Sequence, residues 1–259
     1  SDVCSSDLVN KACLVVGGGI AGMTSSLSLA GQGFEVFLVE KEPELGGMAR
    51  NLYHTLEGMD VQRHLQDVIR QVYRHPSVHV SHDATILEVK GYIGNFTTKI
   101  RSGGRIKDIR HGAAIIATGA EEYKPTEYLY GENENVVTSI EMDSLIVNKD
   151  ERLSNCESLV MIQCVGCRNE EKNYCSRVCC GHSIKNALDL RAIKSDMDIT
   201  ILYRDMRSYG FKEDFYREAA EKNIRFVRYA RNDKPEVAAV EEDGRKMLQV
   251  AVTDHVLGK

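Results

Sequence analysis

Five cysteines stand within a window of 17 residues: Cys164, Cys167, Cys175, Cys179 and Cys180. Thiolates are soft ligands for iron or zinc, and a four-iron cluster needs four of them converging from a locally folded loop. A structural zinc site usually has two C-x-x-C pairs, but this segment has one. A redox dithiol of Cys164 and Cys167 would leave three cysteines unexplained. The window therefore favours an iron–sulfur centre over these two alternatives.

A second chemical motif lies near the start of the chain. Gly17, Gly19 and Gly22 form G-x-G-x-x-G between an apolar run and a helical stretch, and Glu40 ends the next apolar run. The glycines permit a tight turn, close backbone approach to a pyrophosphate and close helix packing, while the helix N-terminus offers free N–H groups. Glu40 can accept hydrogen bonds from ribose hydroxyls. The spacing predicts a dinucleotide site.

FAD and NAD share this fingerprint, and two further features choose FAD. The segment EKEPELGGMAR and the tripeptide Ala117-Thr118-Gly119 resemble motifs of two-domain FAD-dependent pyridine-nucleotide-disulfide reductases. In that resemblance the segment flanks the pyrophosphate and the tripeptide passes close to the cofactor. The predicted FAD-binding residues are Gly17, Gly19, Ile20, Ala21, Gly22, Glu40, Lys41, Gly46, Gly47, Arg50, Ala117, Thr118 and Gly119.

The second half lacks a phosphate loop of its own. A domain binding NAD(P)H would carry G-x-G-x-x-G after its first strand, and at that place stands Gln163-Cys164-Val165-Gly166-Cys167-Arg168. This argues against a self-contained NAD(P)H-dependent FAD disulfide reductase using Cys164 and Cys167, which is the alternative function. Tyr203-Arg204-Asp205 lies where an NAD(P)H-binding domain contacts the ribose. Without the glycine loop we expect this tripeptide to contact a partner or nothing.

The stretch IQCVGCRNEEKNYCSRVCCGHSIKNAL resembles the A subunit of heterodisulfide reductases, and the resemblance covers Lys11 to Lys259. It implies a [4Fe–4S] cluster on Cys164, Cys175, Cys179 and Cys180. Family members commonly have serine at the position of Cys167, which is either a bystander or an alternative ligand. Lys185 matches a lysine that contacts the flavin N5, where a cation favours the reduced anionic flavin. His182, near a helix start, is expected to be solvated or hydrogen-bonded rather than a metal ligand.

The same resemblance implies a component of an electron-transfer complex. Its FAD accepts electron pairs, with bifurcation toward ferredoxin and a disulfide as one outcome, although the sequence itself does not show bifurcation. The implied partners are B- and C-like subunits, hydrogenase- or formate-dehydrogenase-linked proteins and ferredoxin. A homodimer follows from the family alone.

The elements that must position these residues alternate along the chain. Hydrophobic patterning predicts tandem Rossmann-like α/β domains of the two-dinucleotide-binding-domain type. We expect a non-native tail at 1–8, excluding Cys4 from chemistry, an FAD domain at 9–148 with a small β-meander, and an incomplete cysteine-bearing domain at 149–259. The meander is predicted from Val78–Val80, Ala84–Val89 and Phe96–Ile100, and an unfinished hairpin from the turn Asp243-Gly244 and the run Val250–Val256. Both chain ends look cut, so we expect a fragment truncated at its C-terminus.

Composition limits the remaining functions. A net charge of −5 with interspersed signs leaves no basic stripe for nucleic acid. No apolar stretch is long enough to span a bilayer and none resembles a signal peptide, so we expect a cytoplasmic protein. Eight cysteines without a secretory signal indicate metal or redox chemistry rather than a disulfide scaffold.

Overall fold

The computed structural model describes residues 9–242, 244–255 and 257–258. The described chain divides into two compact units, one of residues 9–54 and 60–121 and the other of the remainder. The predicted tail at 1–8, with Cys4, lies outside the described residues. None of the described helices has the length and apolar character needed to cross a membrane.

The first unit is built on a four-stranded parallel sheet. Strands β1 (Cys13–Val16), β2 (Val36–Val39), β3 (Val78–Ser81) and β7 (Ala113–Ile116) have the order β3-β2-β1-β7. Helix α1 (Ile20–Gly31) connects β1 to β2, and α2 (Val61–Arg74) precedes β3. Leu14 and Val15 on β1 are almost fully buried, as expected of a central strand in a parallel sheet.

Helix α2 has clear sequence signals at both ends. The Asp60 side chain accepts a hydrogen bond from the Arg63 amide and caps the first turn. The chain becomes extended at His75, because the residue before a proline disfavours the helical region. Leu65, Val68 and Val72 form the buried face of the helix.

An antiparallel meander completes this unit. It consists of β4 (Ala84–Tyr92), β5 (Asn95–Ser102) and β6 (Arg105–His111). Gly103-Gly104 forms the turn between β5 and β6, and both glycines have positive φ, as a two-residue hairpin turn of this type requires.

The assignment of Val78–Val80 to the meander was wrong. This strand pairs in parallel with β2, with Val78 opposite Val36. It follows α2, and a strand that returns after a crossover helix joins the parallel sheet rather than a hairpin.

The second unit repeats the alternation. Strands β8 (Ser158–Ile162), β9 (Asp198–Tyr203) and β10 (Arg225–Arg228) form a parallel sheet of order β10-β9-β8. Helices α5 (Cys179–Ile193) and α6 (Lys212–Glu221) make the two crossovers, and α3 (Ser139–Val147) and α4 (Glu151–Asn155) precede β8. Ile184, Leu190, Ile199 and Ile201 are completely buried in its core.

A hairpin follows the three-stranded sheet, and its prediction needs correction. Strand β11 (Glu236–Glu242) pairs antiparallel with β12 (Arg245–Ala251), so the hairpin is complete and its second strand ends at Ala251. Strand β11 has only a short apolar run, Val237–Val240, between glutamates, and most of its residues are exposed. Asp243 and Val256, which belonged to the predicted turn and strand, lie outside the described residues.

Candidate cofactor and cysteine sites

The first unit brings the nucleotide motif together at the carboxyl end of β1. Gly17 has φ 108°, and a Cβ there would lie 2.2 Å from the Ala117 carbonyl oxygen. A Cβ on Gly22 would lie 1.8 Å from the carbonyl oxygen of Gly17. Gly19 has open space where its side chain would be. Crowding therefore excludes a side chain at Gly17 and Gly22, while the open space at Gly19 leaves the backbone accessible to a ligand.

Glu40 lies under the glycine loop and is buried. Its Oε2 accepts a hydrogen bond of 2.5 Å from the Gly18 amide, and its Oε1 accepts one of 2.8 Å from the Glu42 amide. The carboxylate therefore holds the loop in shape, and its remaining lone pairs can accept a hydrogen bond from a ribose hydroxyl.

The second glycine pair packs directly against the first motif. The Gly46 amide donates to the Gly18 carbonyl at 2.8 Å, and Gly46 forms a parallel bridge with Gly19. A Cβ on Gly47 would lie 3.3 Å from the Gly19 Cα. The short 3-10 helix Gly47–Asn51 then carries Arg50, whose Nη1 is 3.3 Å from Glu44 Oε2.

The other predicted FAD residues lie around this loop with different exposure. Ile20 and Ala21 form the first turn of α1, whose N-cap Gly19 supplies no side-chain hydrogen bond. Lys41 is exposed and pairs with Glu121 at 3.2 Å. Ala117 and Thr118 lie beside Gly17, whereas Gly119 has open space around it. An uncapped helix end, an open glycine and a buried carboxylate are the features that a dinucleotide needs.

In the second unit the cysteines surround the loop between β8 and α5. Cys164 follows β8, has φ 63° and is 9% exposed, while Cys179 and Cys180 open α5. A Cβ on Gly166 would collide with the Tyr123 ring at 2.1 Å, so this glycine lets the loop pass an aromatic side chain. This loop lies at the carboxyl end of a parallel strand, where ligands of α/β sheets bind.

Polar partners define the environment of each sulfur. Arg168 Nη1 lies 3.8 Å from Cys164 Sγ, and the Arg177 amide lies 3.3 Å from Cys175 Sγ. Cys179 Sγ is 3.4 Å from Ser176 Oγ, and Cys180 Sγ is 3.7 Å from the Asp205 carbonyl oxygen. All seven described cysteines are free thiols.

The thiols influence one another electrostatically. Burial, together with negative charge on Cys164, Cys179 and Cys175, raises the pKa of Cys167 to about 11, and the Arg204 charge opposes the rise. The hydrogen bond from Cys180 lowers the pKa of Cys179 despite burial, and the Ser176 hydroxyl adds to this. A thiol at a helix N-terminus is a favourable place for a thiolate.

The side chains of the cysteine loop have the donor chemistry of a four-iron cluster, which takes four thiolates. Cys164, Cys175, Cys179 and Cys180 supply that number from the loop and the first turn of α5, and N–H groups lie beside the sulfurs of Cys164 and Cys175.

Lys185 lies in a buried polar network that the sequence did not predict. Its Nζ is 2.9 Å from Asp143 Oδ1 and 3.3 Å from Asp189 Oδ2, and His182 Nε2 is 2.9 Å from Asp143 Oδ2. Burial opposes ionisation of Asp143, but His182 and Lys185 outweigh it and lower its pKa. The expectation that His182 is hydrogen-bonded is confirmed. Asp143 on α3 had no sequence signal, because its partners are about 40 residues away.

The tripeptide Tyr203-Arg204-Asp205 also has a role that sequence reasoning missed. Contacts within the chain show that the tripeptide does not contact nothing, and its contact with a partner stays a prediction. Arg204 Nη1 donates to the Arg168 carbonyl at 2.7 Å, and the Asp205 carboxylate pairs with the Arg168 guanidinium. Both side chains support the cysteine loop from the end of β9.

Residues 11–162 match the family model described as pyridine nucleotide-disulphide oxidoreductase. The chain belongs to this family. Membership in the pyridine nucleotide-disulphide oxidoreductases makes the protein an oxidoreductase and supports FAD as its cofactor. It also confirms the predicted flavoprotein Rossmann-type α/β fold.

The protein is similar to two curated archaeal proteins, both of them A subunits. One is the iron-sulfur A subunit of the CoB--CoM heterodisulfide reductase of Methanocaldococcus jannaschii, 28% identical over 97% of this chain and 52% of the relative. The other is the A subunit of the H(2):CoB-CoM heterodisulfide,ferredoxin reductase of Methanothermobacter marburgensis, 28% identical over 97% of this chain and 51% of the relative. The suggested family resemblance is thereby confirmed, and the chain spans about half the length of these relatives.

A solved structure supports the fold alone. The thioredoxin reductase of T. acidophilum aligns with a TM-score of 0.53 and 14% identity, covering 95% of this chain and 71% of that one. The predicted architecture of tandem Rossmann-like domains is consistent with this likeness.

Proposed function

We propose that this chain is the FAD- and [4Fe–4S]-containing electron-transfer part of a heterodisulfide-reductase-like complex. The observation that carries the proposal is the loop between β8 and α5. Five cysteines occupy this loop and the first turn of α5, at the place where a nicotinamide-binding domain has its phosphate loop. When bound, FAD supplies two-electron chemistry and the cluster one-electron transfer.

The proposed FAD site is the glycine loop with Glu40, Gly46 and Gly47, and the proposed cluster ligands are Cys164, Cys175, Cys179 and Cys180. Lys185 is proposed to stand beside the flavin N5, as the resemblance implies. Lys185 lies on α5, and its ammonium is held by Asp143 of α3 and Asp189 of α5, which would keep a cation at a fixed position. A Lys185→Gln variant should therefore lower the flavin reduction potential, measured by dye-coupled photoreduction.

The partners proposed are B- and C-like subunits, hydrogenase- or formate-dehydrogenase-linked proteins and ferredoxin, with a homodimer as the chain's own assembly. The name of the M. marburgensis relative pairs a heterodisulfide with ferredoxin, and this supports an assembly that bifurcates electrons between the two. We propose a cytoplasmic location, since a reducing compartment keeps thiols such as the seven described here free.

Anaerobic reconstitution of the purified chain tests this proposal. Iron, sulfide, zinc and flavin are measured per protomer together with the visible spectrum. About four iron and four sulfide beside FAD are expected. Zinc alone would instead indicate a structural site, and a metal-free chain with a reducible dithiol and NAD(P)H oxidation would indicate the disulfide reductase.

Single cysteine variants assign the ligands. Cys179→Ser should lose the iron and sulfide, whereas Cys156→Ser is the matched control, because Cys156 lies outside the loop and its thiol donates to the Ser158 carbonyl. Cys167→Ser separates the two roles left open for this residue: full iron content identifies a bystander, and reduced iron content identifies a ligand.

A further inference from the structure

Two arginines, Arg168 and Arg204, lie against the cysteine sulfurs and their loop. Arg168 is mostly buried, and its Nη1 points at Cys164 Sγ from 3.8 Å. Its other terminal nitrogen pairs with Asp205, which follows β9. The carboxylate therefore holds the guanidinium in the orientation that directs an N–H group at the sulfur.

Arg204 is the more deeply placed cation. It is 6% exposed, donates to the Arg168 carbonyl at 2.7 Å and lies 5.6 Å from the centre of the Tyr229 ring. Its Nε has no hydrogen-bond partner in the described part of the chain, where no carboxylate pairs with the guanidinium either. A buried cation that is left uncompensated is costly unless negative charge lies nearby.

A thiolate-ligated cluster provides that negative charge. It becomes more negative by one unit when it takes up one electron, and no bond forms or breaks in this step. Hydrogen bonds to the ligand sulfurs and nearby positive charge stabilise the reduced state more than the oxidised one, whereas burial has the opposite effect. The two arginines thus change the free-energy difference between the oxidised and reduced cluster, which sets the reduction potential.

We propose that Arg168, oriented by Asp205 and supported by Arg204, raises the reduction potential of the cluster through its N–H group on the Cys164 sulfur. Arg168 and Arg204 are positioning residues for electron transfer and do not ligate iron. The inference rests on the proposed function, because it requires the cluster. It gives a cluster held by this thiol-rich loop a way to accept an electron.

A redox titration of the reconstituted chain tests this inference. The cluster is followed by electron paramagnetic resonance in the presence of mediators, with dithionite as the reductant. In Arg168→Gln the ratio of reduced to oxidised cluster at a fixed potential should fall about tenfold, which is a downward shift of about 59 mV for one electron. Arg204→Gln should shift in the same direction, and Arg168→Lys, which keeps the charge but not the planar donor, should shift less.

The control is Arg225→Gln, which removes the same charge from the same unit. Arg225 is exposed and binds Asp198 at 2.6 Å, at the opposite end of β9 from Asp205. It should leave the potential unchanged. Unchanged potentials in Arg168→Gln and Arg204→Gln, with iron and sulfide intact, would overturn the inference alone. A wild-type chain that takes up no iron and sulfide would overturn the proposed function itself.

Discussion

At the scale of single residues, the two sites depend on close contacts that admit no larger atom. Gly22 is the clearest case, since a Cβ would lie 1.8 Å from the Gly17 carbonyl oxygen, a backbone atom that cannot move alone. Asp143 is the polar counterpart, because its buried carboxylate is shared by His182 and Lys185. In both cases a single buried group constrains the positions of its neighbours.

We expect Gly22→Ala to destabilise the first unit by about 1–3 kcal/mol, the usual cost of overpacking, and to weaken FAD retention. The measurement is flavin content after gel filtration, combined with urea unfolding. Gly31→Ala is the matched control on the same helix, where a Cβ meets nothing within 4 Å. Equal flavin content in the two variants would show that the crowding at Gly22 is unimportant.

Asp143→Asn should destabilise the second unit by about 3–5 kcal/mol, because it leaves the buried Lys185 ammonium and the His182 ring without their carboxylate. Chemical denaturation followed by circular dichroism measures this loss. Asp189→Asn, at the more exposed carboxylate of the same lysine, should cost much less. A loss as large for Asp189→Asn would contradict the central position of Asp143.

At the scale of elements, helix α3 depends on its N-terminal capping box. Thr138 and Glu141 exchange side-chain and backbone hydrogen bonds, and Glu141 also accepts from Lys124 and Tyr130. Burial by itself would raise the pKa of Glu141, but hydrogen bonds from Lys124, the Thr138 amide and Tyr130 outweigh it and hold the pKa at about 2. The charged form of Glu141 therefore stabilises the fold.

This predicts a particular pH dependence for α3. The stabilisation is present above the ordinary glutamate pKa of 4.5 and is lost as the pH falls from there toward about 2. Glu141→Gln should lower the melting temperature at neutral pH and flatten its decline over that acid range. Thermal melts at several pH values measure this, with the exposed Glu157→Gln as control. A decline as steep as in the wild type would exclude Glu141 as its source.

At the scale of the whole molecule, each unit contains one group of candidate cofactor-binding residues. The glycine loop, Glu40 and the Gly46-Gly47 pair belong to the first unit, whereas the cysteine loop and its arginines belong to the second. The assignment of residues 9–148 and 149–259 to two functional domains stays a prediction.

If each unit holds its own cofactor, loading should be separable. Gly22→Ala should lose flavin and keep iron and sulfide, and Cys179→Ser should lose iron and sulfide and keep flavin. Both contents are measured on the same anaerobically reconstituted samples. Loss of both cofactors in either variant would contradict independent sites.

The sequence by itself determined the fold class, the glycine loop with Glu40 and the crowding of five cysteines. These features are local, since they depend on the spacing of residue types along strands, turns and the first turn of a helix. The Gly103-Gly104 turn and α2 with its stop before Pro76 were predictable for the same reason.

Only the tertiary structure decided which distant residues support those motifs. Arg204 and Asp205 reach the cysteine loop because parallel strands end at a common edge, and Asp143 meets Lys185 because α3 packs on α5. The same physics moved Val78–Ser81 from the meander into the parallel sheet. Long-range pairing is set by the packing of whole elements. The type of a single charged or polar residue therefore does not indicate which distant residue it contacts.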